Sequence, residues 1–239
     1  MSPVIGVLAA CPLFAGLEPS LLESFLREHR VLLLPAGHQV VFEGDWSDGA
    51  FLLRSGIAKV RHITLSGEEV VIALLGAGEI FGELSLLPSN SHRSADVVSL
   101  TPIEVVKLRL EPMERALRTE PAFALAMARL QAWRLRRLGH RLGLRGEDAT
   151  TRVLATLLEL ACCGSQGGDP LSSLPDLSQS ELAAIAGLAR GTASKVLTRL
   201  RSRGTVVASA DGLRIADLEP LRRRGLLPPE PGRGTAAPG

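Results

Sequence analysis

Two short stretches of the chain hold residue types whose order could do chemistry. In and just before residues 81–95 (FGELSLLPSNSHRSA), Gly78 and Gly82 permit a sharp strand-to-helix turn whose amides are free to face an anion. Glu83 follows at once, and Arg93 and Ser94 come ten residues later, beyond a Pro88-Ser89-Asn90 loop. An acidic acceptor beside a helix start, facing an Arg, suits a ligand with both hydroxyls and a phosphate. Glu83 would accept from a sugar hydroxyl, Arg93 would neutralise the phosphate as a charge-assisted pair, and Ser94 would donate to it. The same spacing lets Glu83 and Arg93 pair with each other across a turn, and spacing alone leaves both readings open.

The second stretch is residues 178–203 (SQSELAAIAGLARGTASKVLTRLRSR). Ser178 with Glu181 three residues on is a capping box that starts a helix at Gln179. Leu182, Ile185 and Ala186 form its inner face, Gly187 permits a tight bend, and Leu188 plugs the core. A second helix runs from Arg190 with Ala193, Val196, Leu197 and Leu200 inward. Its other face presents Arg190, Gly191, Thr192, Ser194, Lys195, Thr198 and Arg199. From Arg190 to Arg203 there are five basic residues and no acidic one. A helix–turn–helix with a basic, small-residue outer face is what reading a DNA major groove requires; the plainer alternative is a helical hairpin with a solvated Arg face.

These stretches need elements to position them. Residues 1–30 read as short helices. From 31 to 110, β-rich runs (31–34, 39–42, 50–53, 57–64, 70–75, 97–99 and 103–108) alternate with Gly/Pro turns, which predicts an antiparallel roll or sandwich. After Pro112 the period becomes helical. Phe123, Met127 and Leu130 make one apolar stripe, and Ala124, Ala128, Gln131, Leu135, Leu138 and Leu142 follow the four–three alternation of a coiled-coil seam. That helix either lies across its own β domain or pairs with a second copy. Another helix spans 149–161, a Gly/Ser/Pro-rich loop with room for a weak hairpin spans 164–175, and two strand-like runs (205–208, 212–216) flank an Ala210-Asp211 turn. The tail from Gly225 is Pro/Gly-rich and predicts disorder.

Composition narrows the class. The 239 residues carry a formal charge of only +2, which excludes a polycation. Three Cys (Cys11, Cys162, Cys163) make a disulfide framework unexpected and cannot supply the four ligands of an iron–sulfur cluster. No run of 18 apolar residues occurs, so a membrane span is disfavoured. No nucleophile–base pair, metal cluster or Walker loop is present, which argues against an enzyme and leaves the metal sites at none. His29, His38, His62, His92 and His140 are scattered and read as surface or capping residues rather than haem ligands.

Residues 81–95 resemble the phosphate-binding cassette of the cyclic-AMP receptor protein/fumarate–nitrate regulator (CRP/FNR) family, and residues 178–203 resemble that family's helix–turn–helix. Residues 35–60 (PAGHQVVFEGDWSDGAFLLRSGIAKV) are similar to its β-roll run, and the resemblance covers roughly residues 12–221 in the same order. It implies an α+β fold: an N-terminal antiparallel β-roll effector domain (1–110), a long dimerisation helix with its lead-in (111–146), a C-terminal winged helix–turn–helix (147–224) and a disordered tail (225–239). It further implies a homodimeric, cytoplasmic transcription regulator on a two-fold symmetric double-stranded DNA operator, with RNA polymerase as a partner and no membrane.

The resemblance places the effector at Gly82, Glu83, Leu84, Ser85, Arg93 and Ser94, with Arg137 beside them, and the DNA contacts at Ser178, Gln179, Arg190, Gly191, Thr192, Ser194, Lys195 and Arg199. Relatives that bind cyclic AMP hold adenine with Thr-Ser on the long helix; Arg137 and Leu138 stand there instead, so the sugar–phosphate half is kept and the base-reading half rewritten. Cyclic AMP or another cyclic nucleotide is the favoured effector. No effector at all is the second candidate. An acidic metabolite is the third, since Arg129, Arg134, Arg136, Arg137, Arg141 and Arg145 make the helix cationic, although Glu83 would repel it. Gly191 replaces a Glu that reads cytosine in many relatives, which predicts a relaxed or altered half-site.

Overall fold

The computed structural model describes residues 3–87, 92–165, 167–209 and 212–228. The elements in order are α1 (Pro3–Ala10), α2 (Pro19–Leu26), β1 (Arg30–Leu34), β2 (Gln39–Val41), β3 (Ala50–Ser55), β4 (Ala58–Ile63), β5 (Glu69–Leu75) and β6 (Ile80–Phe81). A one-turn 3₁₀ helix (Glu83–Leu86) follows, then β7 (Asp96–Ser99), β8 (Ile103–Leu108), α3 (Leu110–Thr119), α4 (Pro121–Leu144) and α5 (Ala149–Gly164). The chain closes with β9 (Ser173–Leu174), α6 (Gln179–Ala186), α7 (Arg190–Ser202), β10 (Val206–Ser209), β11 (Gly212–Ile215) and α8 (Glu219–Arg222).

The roll consists of two antiparallel four-stranded sheets, ordered β1-β8-β3-β6 and β2-β7-β4-β5. Alternation along its central strands divides two cores, because successive side chains leave opposite faces. Phe51 and Leu53 of β3, with Ile103 and Val105 of β8, point between the sheets. Ala50 and Leu52, with Val106 and Leu108, point outward under the helices, where Phe14, Phe25 and Phe123 pack with centroids 5.5–6.0 Å apart. Both faces being covered, β3 reads as a continuous apolar run rather than an alternating one.

Helix α4 starts at Pro121, whose missing N–H costs nothing in a first turn. Its Phe123 and Met127 are buried against the helices and β-roll of the same chain. Farther along, Leu135, Leu138 and Leu142 stand exposed, Leu135 at 70%. Asp148 then caps α5, its carboxylate accepting from the Thr150 and Thr151 amides at 2.7 and 3.0 Å.

The third core joins the C-terminal helices to the outside of the roll: Leu154, Leu157, Leu197 and Leu200 pack in one cluster with Ile57, Val71 and Leu74. Gly76 is required there, since an added Cβ would lie 2.7 Å from the Cys163 carbonyl oxygen. Three expectations change. Among the described residues, the 164–175 stretch forms no hairpin of its own but gives β9, which completes the sheet β10-β11-β9. Leu226 and Leu227, expected in a disordered tail, pack against the third core because they are the apolar residues directly after α8. The two-residue β6 is an addition, too short to leave a pattern. Residues 88–90, 210–211 and 229–239, where a loop, a turn and the rest of the tail were expected, lie outside the described residues.

Candidate effector cleft and nucleic-acid interface

A cleft of about 940 Å³ opens between the β2-β7-β4-β5 sheet, the turn after β6 and the flank of α4. Gly82, Glu83, Leu84, Ser85, Arg93, Ser94 and Arg137 all line it, together with Val60, Ile72, Phe81, Trp133 and Leu138. Gly82 takes φ +77, and any Cβ there would strike the Arg93 guanidinium, so the glycine serves both the turn and the approach of Arg93.

Glu83 and Arg93 do not pair with each other across the turn; each has partners of its own. Glu83 is 1% exposed; it accepts from Gln131 Nε2 at 3.0 Å and from Arg134, which also donates to the Ile80 carbonyl. Arg93 donates to the carbonyls of Gly49 at 2.7 Å and Gly82 at 3.3 Å and reaches Asp48 at 3.4 Å, with its guanidinium 5.5 Å from the Phe51 ring centroid. Burial pulls the Arg93 pKa down and Asp48 pushes it back up. An arginine in this setting stays protonated, and Arg93 is a fixed positive charge at the cleft.

Arg137 is an ion-pair hub. It reaches Glu79 at 2.8 Å, Glu159 at 3.1 Å and the Leu74 carbonyl at 2.9 Å, and lies 4.5 Å above the Trp133 ring. Burial lowers its pKa, but the two carboxylates outweigh this and raise it. Burial pushes Glu79 up, against the pull of Arg137. Gln131 and Glu159 were not foreseen as members of the cleft, nor was the pairing of Arg134 with Glu83. The signal was present: residues 127, 131, 134, 138 and 141 share one face at helical spacing, so the stripe that buries Met127 carries Gln131, Arg134 and Arg141 toward the roll.

The basic helix is built as its pattern implies. Ala193, Val196, Leu197 and Leu200 are buried, while Arg190, Gly191, Thr192, Lys195 and Arg199 are exposed and Ser194 is half-buried. Gln179 is exposed, and the Ser178 hydroxyl accepts from the Glu181 amide at 3.0 Å. Only that half of the capping box forms. The Glu181 carboxylate instead meets Lys59 of β4, a lysine 3% exposed that also contacts Glu69 at 2.5 Å.

The cyclic nucleotide-binding domain model matches residues 31–120, and the Crp-like helix-turn-helix domain model matches residues 151–224. The chain is 37% identical over 196 residues to the cyclic AMP receptor protein of Thermus thermophilus, covering 82% of this chain and 88% of that one. The chain belongs to the CRP/FNR family. It is 30% identical over 220 residues to the CRP-like cAMP-activated global transcriptional regulator of Mycobacterium tuberculosis, covering 91% of this chain and 98% of the relative. The fold is also that of FixK2 from Bradyrhizobium japonicum, with a TM-score of 0.71 at 18% identity over 82% of this chain and 96% of that one. As a CRP/FNR member, this protein is a DNA-binding transcription regulator with a cyclic nucleotide-binding domain, and not an enzyme. Among the described residues no helix is long and apolar enough to cross a membrane.

Proposed function

We propose that the protein is a cytoplasmic homodimer, paired through the 121–145 helix, that reads a two-fold symmetric operator and takes a cyclic nucleotide in the β-roll cleft. The observation that carries the effector reading is convergence: Gly82, Glu83, Ser85, Arg93, Ser94 and Arg137 border one cleft. A phosphate would sit on Arg93 and Ser94, a ribose hydroxyl on Glu83, and a base against Trp133 and Leu138. The exposed row Leu135, Leu138 and Leu142 supports the pairing. Arg190 would give the bidentate guanine contact, with Gly191 and Lys195 close to base edges and Thr192, Ser194 and Arg199 on phosphates. Ser178 and Gln179 would approach the backbone beside the same groove, and RNA polymerase is the partner of the assembled complex.

Calorimetric titration with cyclic AMP, cyclic GMP and 2-oxoglutarate tests the effector. The expected result is binding of a cyclic nucleotide that Arg93→Ala abolishes; binding that survives Arg93→Ala would refute the site. One observation favours a second reading, an effector-independent regulator: Glu83 already has two partners from α4. That reading predicts no heat with any of the three ligands and an operator affinity that none of them changes. Arg190→Ala should weaken operator binding under either reading.

A further inference from the structure

We propose that Arg141 is a positioning residue for DNA recognition: acting through the C-terminal carbonyls of α6, it fixes the helix–turn–helix against α4 and the cleft wall. The last four carbonyls of a helix have no partner within it. In α6 the first of these are met by the turn itself, with the Leu188 amide donating to Ala183 at 2.9 Å and the Gly187 amide to Ala184 at 3.0 Å. The Ile185 and Ala186 carbonyls are met from outside, Ile185 by Arg141 Nη2 at 3.0 Å and Ala186 by Arg152 Nε at 3.0 Å. Arg152 also donates to the Gly187 carbonyl. Two guanidiniums therefore sit where the helix dipole is negative, at the bend that aims α7.

The two arginines differ in origin. Arg152 belongs to α5, inside the C-terminal domain. Arg141 belongs to α4, the helix that lines the cleft, and its remaining nitrogens hold the Val71 carbonyl of β5 at 3.2 Å and Glu159 of α5 at 2.6 Å. One side chain thus ties the roll, the long helix, α5 and the first helix of the DNA reader. All three of its nitrogens are engaged by Val71, Glu159 and Ile185, which leaves none to reach a DNA phosphate. The reading face of α7 stays open in this docked arrangement. Loss of the tie should let the domain wander and weaken recognition, without removing a DNA contact.

The test uses the full-length protein and an operator recovered by selection from random duplexes with the unaltered chain. For Arg141→Ala we expect operator affinity to fall roughly tenfold or more, non-specific affinity to change less than about twofold, and the salt slope of binding to stay unchanged, because no phosphate contact is lost. Amide exchange at the α6–α7 bend should accelerate. Glu159→Gln, which keeps the volume and weakens the hold on Arg141, should shift affinity in the same direction by less; it serves as the deciding variant if Arg141→Ala fails to fold. Arg152→Ala provides the contrast of a purely structural loss, with lower thermal stability and parallel losses of both affinities. Unchanged operator affinity, a parallel fall in specific and non-specific binding, or a salt slope reduced by about one would each overturn the assignment.

Discussion

The Arg134 guanidinium donates to the Glu83 carboxylate across 51 residues of chain, and Gln131, one turn earlier on the same helix, adds a hydrogen bond of 3.0 Å. The acid that would accept a sugar hydroxyl is therefore held by the helix that runs along the cleft. Any ligand using Glu83 must share it with α4 or release α4 from it, and either event reports occupancy of the cleft to that helix. A ligand can shift the helix only by as much as it favours one arrangement over the other.

The pair is asymmetric, with Glu83 1% and Arg134 25% exposed. Arg134→Ala leaves a buried carboxylate without its cation and should lower unfolding free energy by about 3 kcal/mol. Glu83→Gln leaves an arginine that can turn to water and should cost about 1 kcal/mol, the scale of one net hydrogen bond. The double variant should recover part of the Arg134→Ala loss. Urea unfolding curves for the three proteins measure all of this; equal losses in the two single variants would contradict the asymmetry.

Asp148 caps α5 at the junction between the long helix and the C-terminal domain. The Thr151 amide holds its carboxyl below the ordinary value of 3.8, helped by the Thr151 hydroxyl and the Thr150 amide, while slight burial opposes them. A depressed folded pKa stabilises the protein above the unfolded value, and that contribution is lost as pH falls through the folded one. Asp148→Ala should therefore cost about 1 kcal/mol at neutral pH. The gap between variant and parent should narrow below about pH 4 as the parent's cap is protonated. Thermal melts from pH 7 to pH 3 test both parts, and a gap that widens on acidification would rule out this role.

The exposed row on α4 gives a prediction about assembly. Leu135 is 70% exposed and, among the described residues, packs in none of the three cores. Leu135→Glu should leave the fold of a single chain intact, with unchanged far-ultraviolet circular dichroism, while sedimentation shifts from dimer to monomer. Operator affinity should fall with it, since each particle would then bring one reading helix instead of two. A dimer that persists in Leu135→Glu would place the pairing surface elsewhere.

Legibility in the sequence followed the range of the interaction. The inner face of α7 was plain because Ala193, Val196, Leu197 and Leu200 are neighbours on one helix, and the strands of the roll were plain from runs between Gly and Pro turns. Lys59 was not, because its value depends on Glu181, 122 residues away, and a capping-box pattern points that carboxylate toward Ser178 instead. Arg137 lines the cleft, but its pairs with Glu79 and Glu159 were not to be read from the sequence. A charge on a helix face can be read locally. The opposite charge that folding brings to it cannot.

Gly191 offers a substitution that should change both stability and reading. It is exposed in the first turn of α7, and a Cβ added there meets nothing within 4 Å. Glu at this position removes the backbone freedom of glycine, about 1 kcal/mol at most and less in a first turn. It also places a negative charge at the positive end of the helix dipole, contributing roughly 0.3–1 kcal/mol. Gly191→Glu should therefore raise the melting temperature while lowering non-specific DNA affinity, because the helix loses one unit of net positive charge. Its carboxylate can accept from a cytosine amino group, so selection from random duplexes should return half-sites with a C preference that the parent lacks. Tighter melting with no change in the selected half-site would mean that position 191 faces the backbone rather than the base edges.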